Sequence, residues 1–530
     1  MRRGVTTSSS AGAEAAAGAE AAAGAKTAGA EAGSAIEPSA ALRGDQRIPT
    51  TPAIPAPVGA LLDELWRAGH AAYVVGGSLR DALLGRTAAD WDLATDARPE
   101  QLLALFPDAV YENRFGTVVV RREGAAYEIT TFRTDHEYAD HRRPHRIEFG
   151  ERIEDDLARR DFTVNAMAWG WSPERGAPGQ AEPGRPEPGE AAPTEPTPGR
   201  VAPTTPAAAA PSPSFVDPFG GRPDVEARIL RAVGDPHERF TEDALRMIRA
   251  VRLAATLGFT IEARTLEAIA THAPLAAHLS GERIATELEK LLAAPKPSVG
   301  LRLMANTGLL AVVLPELAAQ RGIPQDKIPG EDLFDHTLRT VDAAPAGRPI
   351  VRLAALVHDL GKPATLADGH FHGHEIVGAQ MAADLLRRLH MPRAIIERVT
   401  LLVRQHMFTY EGTWSDAAVR RFIARIGRHA LEELFELREA DSVGSGLPAD
   451  SFGLTELRRR VAEQLEAQVA LDRADLVING DDLIAEFGLT PGPAIGLILD
   501  ELLDRVIADP GLNDRPSLLV LAQSMLTEEG

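Results

Sequence analysis

The chain has 530 residues, a net charge of −20 and no cysteine. That length fits about three or four domains, and the missing thiols exclude disulfides, thiol nucleophiles and cysteine-ligated zinc, in keeping with a reducing cytoplasm. No apolar run reaches the roughly 18 residues of a membrane span, no signal-peptide core follows the two N-terminal arginines, and the acidic balance argues against coating nucleic acid through bulk charge.

Residues 1–46 are dominated by Ala, Gly, Glu, Ser and Thr with no apolar stripe to bury, which predicts a disordered tail. An amphipathic helix over Val58–His70 then leads into a short strand, Tyr73–Val75, that ends abruptly in Gly76-Gly77-Ser78. Leu79–Leu84 has helical character and places Arg80 about one turn beyond the glycines. A second strand, Trp91–Ala94, has Asp90 and Asp92 on either side of Trp91. Two residues apart on a strand, both carboxylates point to one face. Glycines after a strand let the backbone approach a polyphosphate, and the following helix offers free N–H groups to anionic oxygens. Hard oxygen ligands on one face suit Mg²⁺. A lone Gly-Gly is a turn and a lone Asp-x-Asp a solvated strand end; together at this spacing they describe a nucleotidyl-transfer site.

Further along, Arg98–Phe106 reads as a helix, and Phe115–Arg121 and Tyr127–Arg133 as strands, giving a small α/β unit. Glu128 is a candidate third carboxylate from a neighbouring strand. Asp135–Pro144 is polar and aperiodic, and predicts a mobile loop beside the site. In DLARRDFTVNA (Asp156–Ala166), Arg159 and Arg160 bring adjacent positive charge, Asp161 can orient one guanidinium and Asn165 can bond a ribose hydroxyl. Ser172–Ser214 collapses into Pro, Ala, Gly, Glu and Thr, a disordered excursion that interrupts one domain. In FTEDALRMIRAVRL (Phe240–Leu253), Arg246, Arg249 and Arg252 recur every three residues on one drifting helical face, which Asp243 shares. A carboxylate acceptor beside a guanidinium donor can copy the hydrogen-bonding edge of a base.

From about 260 to 325 the chain reads as helical, with LSGERIATELEKLL amphipathic and a break at Pro295–Pro297. Leu333–Asp441 carries a second constellation: His336, His358-Asp359, His374, His406 and Asp441. Its mixture of imidazole and carboxylate is what divalent transition metals take. The remainder reads as further helices, with Asn479-Gly480-Asp481-Asp482 at a turn and cap.

The strings YVVGGSLRDALLGRTAADWDLATD, DLARRDFTVNA and FTEDALRMIRAVRL resemble the DNA polymerase beta nucleotidyltransferase superfamily, and most closely the bacterial tRNA nucleotidyltransferase/poly(A) polymerase (class II) family. LVHDLGKP resembles the HD metal-dependent phosphohydrolase domain. The resemblance covers most of 55–170 and 215–530. It implies an α+β fold: a small polymerase-beta-like head with a mixed sheet, then an all-α neck, an HD domain and a helical tail. The implied boundaries are 1–52 tail, 53–232 head with the 172–214 insertion, 233–328 neck, 329–445 HD domain and 446–530 tRNA-binding tail. By the same resemblance Asp90 and Asp92 hold Mg²⁺ with Glu128 beside them. Gly76, Gly77, Arg80, Arg160, Asp161 and Asn165 contact the nucleotide, Asp243 and Arg246 read the base, and Arg249 and Arg252 support it. The 135–144 loop is linked to the switch from CTP to ATP. His336, His358, Asp359 and Asp441 are implied ligands of a transition metal, with His374 and His406 serving a second. The expected activity is template-independent addition of CCA, or its terminal A, to tRNA from CTP and ATP in the cytoplasm. The alternatives are a poly(A) polymerase, disfavoured by a tail without a basic block, and an HD phosphohydrolase with an RNA-binding head, disfavoured by the intact Asp90/Asp92 pair.

Overall fold

The computed structural model describes residues 48–528 except 89, 114–115, 140–142, 174–211 and 326. The expected 1–46 tail and almost all of the 172–214 excursion lie outside the described residues. The first described helix, Ala56–Arg67, buries Val58, Leu61, Leu62, Leu65 and Trp66 along one face, the i, i+3, i+4 pattern of an amphipathic helix. Trp66 Nε1 donates to the Ala72 carbonyl at 3.0 Å, tying the helix to the strand that follows.

That strand is β1 (Ala72–Val75), and the rest of the sheet region comprises β2 (Asp92–Thr95), β3 (Val110–Asn113), β4 (Thr117–Arg122), β5 (Ala125–Thr131), β6 (Arg133–Ala139), β7 (Arg143–Phe149), β8 (Ala168–Trp171) and β9 (Ser214–Val216). Seven of them form one mixed sheet in the order β3-β4-β5-β2-β1-β8-β9. All pairs are antiparallel except β2–β5, whose parallel register sets Asp92 opposite Glu128. Central β1 is buried along its whole length, which is why AYVV is an unbroken apolar run without alternation. β8 and β9 pair antiparallel with Gly170 opposite Ser214, so the two flanks of the excursion lie side by side in one sheet.

Of the expected loop at 135–144, residues 135–139 and 143–144 belong instead to two paired strands, β6 with β7. Paired extended backbone satisfies its own N–H and C=O groups. The strands were hidden because HEYADHRRPHRIEF places polar residues at both phases of the alternation.

Beyond β9 the described chain is helical apart from a two-residue strand pair, Ile229–Leu230 with Thr260–Ile261. The helix expected over 240–253 is broken. Pro236–Glu242 ends at Asp243, whose backbone is extended, and a new helix runs Leu245–Leu257. It packs on helices Gly281–Leu292 and Pro297–Asn306. A further group contains Leu333–Ala343, Pro349–Val357, His374–Arg388, Arg393–Gln405 and Leu431–Gly444. One apolar core runs from Val58 through these helices to Leu471, while helices Gly480–Phe487, Pro493–Ala508 and Arg515–Glu528 enclose a smaller one. Among the described residues no helix is long and apolar enough to cross a membrane.

Candidate active site and metal cluster

β1 runs directly into helix Gly76–Leu83, so the two glycines form its first turn and the helix begins three residues before the expected Leu79. Gly76 has φ +75°, and a Cβ there would lie 3.0 Å from Arg160 Nη1 and 3.3 Å from Asp92 Oδ2. Glycine is therefore required both by backbone conformation and by the close approach of the two charged groups. Asp90 is exposed just before β2, and Glu128 flanks Asp92 in register. Burial raises the Asp92 carboxyl above its ordinary range; Arg160 partly offsets this and Asp90 adds to it. Glu128 is raised by burial, then by the charges of Asp92, Glu112 and Asp90. Carboxylate oxygens are the donor type that a hard divalent cation such as Mg²⁺ takes, although among the described residues the tightly gathered metal-type groups are the two His/Asp sets of the helical region.

A bonded chain leads away from this site. Arg80 is buried; its Nη1 donates to Asn165 Oδ1 at 2.6 Å, and its Nε and Nη2 donate to Asp81 at 2.9 and 2.8 Å. Asn165 Nδ2 donates to Asp161 Oδ1 at 3.1 Å, and Arg160 Nη1 to the Asn165 carbonyl at 3.4 Å. Asp161 Oδ2 accepts from Arg249 Nε at 2.8 Å. Burial alone would raise the Asp161 carboxyl, but Arg249, Asn165 and Arg246 outweigh it and hold it at about 2. Arg252 Nε lies 2.7 Å from Glu287 Oε2. Asp161 thus orients a guanidinium from a distant helix, not the adjacent pair. Arg159 and Arg160 are both held by Asp156, at 2.6 and 3.1 Å, and this buried carboxyl is lowered because the two guanidiniums outweigh its burial.

Asp243 does not share the arginine face of a helix. It stands between two helices, where its Oδ1 accepts from the Leu245 N–H at 3.0 Å and its Oδ2 pairs with Arg283 Nη2 at 2.7 Å. An aspartate that caps a new helix start breaks the old one. Arg246 is buried and donates to Glu242 Oε2 at 2.5 Å and to the carbonyls of Arg239 and Arg159 at 3.2 and 3.0 Å. The structure therefore gathers Arg80, Arg160, Asp161, Asn165, Arg249 and Arg252 in one network and sets Asp243 and Arg246 at its edge. Sequence reasoning missed Asp156, Glu242, Arg283 and Glu287. A signal existed for Glu287, a carboxylate on the same helical face as buried Ile284, Leu288 and Leu291.

The second constellation closes into one buried cluster. His336 Nε2 lies 3.2 Å from His358 Nε2, 3.2 Å from Asp441 Oδ1 and 3.3 Å from Asp359 Oδ2. On the other side of Asp359, Oδ1 is 3.4 Å from His374 Nε2 and 3.8 Å from His406 Nε2. The donor atoms of His336, His358 and Asp441 lie within 4.8 Å of one another, as do those of Asp359, His374 and His406. Nδ1 of His358, His374 and His406 faces the carbonyl of Ala355, Phe371 and Val403 at 2.8, 2.8 and 2.6 Å. A carbonyl only accepts, so each Nδ1 carries a proton and each Nε2 is turned inward toward the cluster. Burial and the neighbouring His358 push the His406 imidazole down to about 3. The Asp359 carboxyl is held well below its usual range, because His358 and Lys362 outweigh its burial. His336 is shifted the other way and raised, because its hydrogen bonds to Asp359 and Asp441 outweigh its burial. Asp359 Oδ2 is paired with Lys362 Nζ at 2.6 Å, whereas His374 Nε2 and Asp359 Oδ1 are buried without a well-directed hydrogen bond, which a divalent cation would resolve. Gly361 makes the cluster possible, because a Cβ there would lie 2.1 Å from the His374 carbonyl oxygen.

Residues 72–176 match the poly A polymerase head domain, 258–321 the RNA- and SrmB-binding site of polymerase A, and 376–522 tRNA nucleotidyltransferase domain 2, which runs across the boundary expected at 445. The CCA-adding enzyme of Geobacillus kaustophilus is 44% identical over 261 residues, 49% of this chain and only about half (54%) of that protein. The CCA-adding enzyme of Geobacillus stearothermophilus is 33% identical over 453 residues, covering 84% of this chain and 91% of that one. Among solved structures, the Bacillus stearothermophilus CCA-adding enzyme in complex with CTP superposes with a TM-score of 0.62 at 30% identity, covering 90% of this chain and 99% of that chain. With a polymerase-type head that carries the carboxylate site, and a likeness that extends over nearly the whole length of such a relative, the chain belongs to the family of CCA-adding enzymes within the tRNA nucleotidyltransferases and poly(A) polymerases.

Proposed function

We propose that the chain is a template-independent tRNA nucleotidyltransferase that completes tRNA 3′ ends with CCA, using CTP and ATP, in the cytoplasm. The observation that carries this reading is the continuity of the network. Asp92, which Glu128 flanks in register, and Arg160 both come close to Gly76, and from Arg160 the residues Asn165 and Asp161 lead to the arginine helix Leu245–Leu257. One end suits metal and triphosphate; the other suits a base edge. Relatives that carry the name CCA-adding enzyme support it.

In this reading the RNA 3′-hydroxyl oxygen forms a bond to the α-phosphorus of the bound triphosphate. The bond from that phosphorus to the α–β bridging oxygen breaks, pyrophosphate leaves with the electron pair, and the hydroxyl proton passes to solvent. Asp90, Asp92 and Glu128 hold Mg²⁺, which when bound activates the hydroxyl and neutralises triphosphate charge. Gly76 and Gly77 bring backbone N–H groups to the phosphates, while Arg80 and Arg160 supply fixed positive charge. Asn165 keeps Arg80 in place, Asp156 holds Arg160, and Asp161 orients Arg249. Asp243 accepts from, and Arg246 donates to, the edge of C or A, with Arg249 and Arg252 behind them. The head 53–232 performs the transfer, the neck 233–328 selects the nucleotide, and the tail 446–530 holds the tRNA.

The test is primer extension on tRNAs ending at the discriminator base, at C and at CC, with CTP, ATP or both. Growth of all three to CCA, then a stop, is the expected result. A single A on the CC-ended tRNA alone makes the enzyme an A-adding specialist, long A tracts make it a poly(A) polymerase, and incorporation unaffected by Asp92→Ala overturns the assignment.

The unsatisfied Asp359 and His374 atoms favour a second reading, a divalent transition-metal site with phosphohydrolase activity. His336, His358, Asp359 and Asp441 would hold one ion and His374 and His406, sharing Asp359, another. Elemental analysis of the purified chain against Asp359→Ala tests the site. Hydrolysis of phosphate monoesters and 2′,3′-cyclic phosphates, lost in His358→Ala, tests the activity. Equal metal in both chains removes the reading.

A further inference from the structure

Helix Gly281–Leu292 is firmly anchored. At its C-terminal end buried Arg352, from helix Pro349–Val357, donates to the carbonyls of Leu292 and Ala294, the latter at 2.6 Å. One turn apart on this helix stand Arg283 and Glu287. Glu287 faces Arg252 and Arg249 at 2.7 and 3.7 Å. Arg283 Nη2 lies 2.7 Å from Asp243 Oδ2, while Asp243 Oδ1 takes the Leu245 N–H. Both oxygens of Asp243 are thereby fixed by separate elements, so the plane of the carboxylate is set. An ionised carboxylate only accepts hydrogen bonds and has about four lone-pair positions, so two remain for a ligand.

We propose that Arg283 is a specificity-positioning residue: it holds the Asp243 carboxylate aimed, so that the site takes bases with an exocyclic amino group and rejects those with a carbonyl there. This rests on the reading of Asp243 as a base contact. Cytosine and adenine present N4–H₂ and N6–H₂ donors at the corresponding place, whereas uracil and guanine present O4 and O6 acceptors. A fixed anion attracts the first pair and repels the second. If the carboxylate can swing away, the penalty against uracil falls, because the mismatched acceptor no longer meets it. The Arg283 and Asp243 side chains are 20% and 17% exposed, and a partly solvated pair of this kind adds little to stability. Its effect is therefore expected in selection, not in folding.

The experiment measures kcat/KM for CTP and UTP on a discriminator-ended tRNA, and for ATP and GTP on a CC-ended tRNA. It compares wild type, Arg283→Ala, Arg283→Lys and Asp243→Ala, with a thermal melt of each. Arg283→Ala is expected to lower the CTP/UTP and ATP/GTP ratios by about tenfold, the value of one lost base-edge discrimination. Its melting temperature should stay near wild type, and Arg283→Lys should restore part of the ratio by donating to the same oxygen. A uniform fall for all four nucleotides, with both ratios unchanged, overturns the proposal. If Asp243→Ala keeps wild-type ratios, the base-reading assignment itself fails; if Asp243→Ala loses them and Arg283→Ala does not, only the positioning role fails. Should Arg283→Ala not fold, Arg283→Gln is read by the same ratios.

Discussion

Asp92 is a carboxylate whose surroundings resist its charge: burial raises it, and Asp90 raises it further. In the proposed transferase such a costly carboxylate serves the metal, so its replacement separates activity from stability. Asp92→Asn is expected to cut CMP and AMP incorporation by about 10³-fold or more while leaving the melting temperature equal or higher, since the amide relieves like-charge crowding. Single-turnover assays beside a thermal melt would check both halves. Asp161 behaves oppositely. Its carboxyl is lowered from 3.8 to about 2, so its folded-state bonding contributes about 2 kcal/mol that is present above pH 4 and lost as the pH falls toward 2. Denaturation at pH 7 and pH 3 should therefore show the stability gap between wild type and Asp161→Asn shrinking on acidification. A spacing of two on a strand predicts that Asp90 and Asp92 share one face, yet β2 begins only at Asp92 and Asp90 lies just before it. Asp156 could not be read from the sequence, although it stands three and four residues before the arginines it holds. Nothing in the spacing says whether a guanidinium turns to its local helix partner or to a distant one, and Arg249 chooses Asp161 across 88 positions.

At the scale of elements, periodicity revealed what has an apolar face and concealed what does not. Helix Ala56–Arg67 and strand β1 lay where the pattern placed them, whereas the β6–β7 pair offered no alternation to read. The break at Asp243 was hidden by arginines that continue at helical spacing, and only the capping bond to Leu245 shows it. The six metal-type residues come from separate helices and helix ends, and their convergence depends on tight packing at Gly361. Gly361→Ala would drive a methyl into the His374 carbonyl and is expected to cost about 1–3 kcal/mol, as overpacking does. Because the strain falls between Asp359 and His374, bound metal per chain should fall with it, and elemental analysis with a denaturant melt would show the two losses together.

Across the whole molecule, one apolar core runs from the sheet through the neck into the helices that carry the metal-type cluster. Composition and motif order set the expected boundaries at 232 and 328, but did not reveal that one core passes across both. A smaller core encloses the last helices, and Arg420 bridges to it by donating to the carbonyls of Ile507 and Ala508 at 2.7 and 3.1 Å. Such a donor satisfies the last carbonyls of helix Pro493–Ala508, so Arg420→Ala is expected to loosen the final helices while leaving the head's melt intact, seen as selective proteolysis beyond residue 470.

The pairing of β8 with β9 has one more consequence. Gly170 and Ser214 already stand opposite each other, so whatever lies between them enters and leaves the sheet through a single doorway. Replacing residues 174–211 by a four-residue turn would leave the strand register untouched. For a flexible connection it would also recover about 2 kcal/mol of closure entropy. The same doorway makes the position a natural port, where a purification tag, a fluorophore or a crosslinker can be installed without disturbing Asp92, Glu128 or the helix that begins at Gly76.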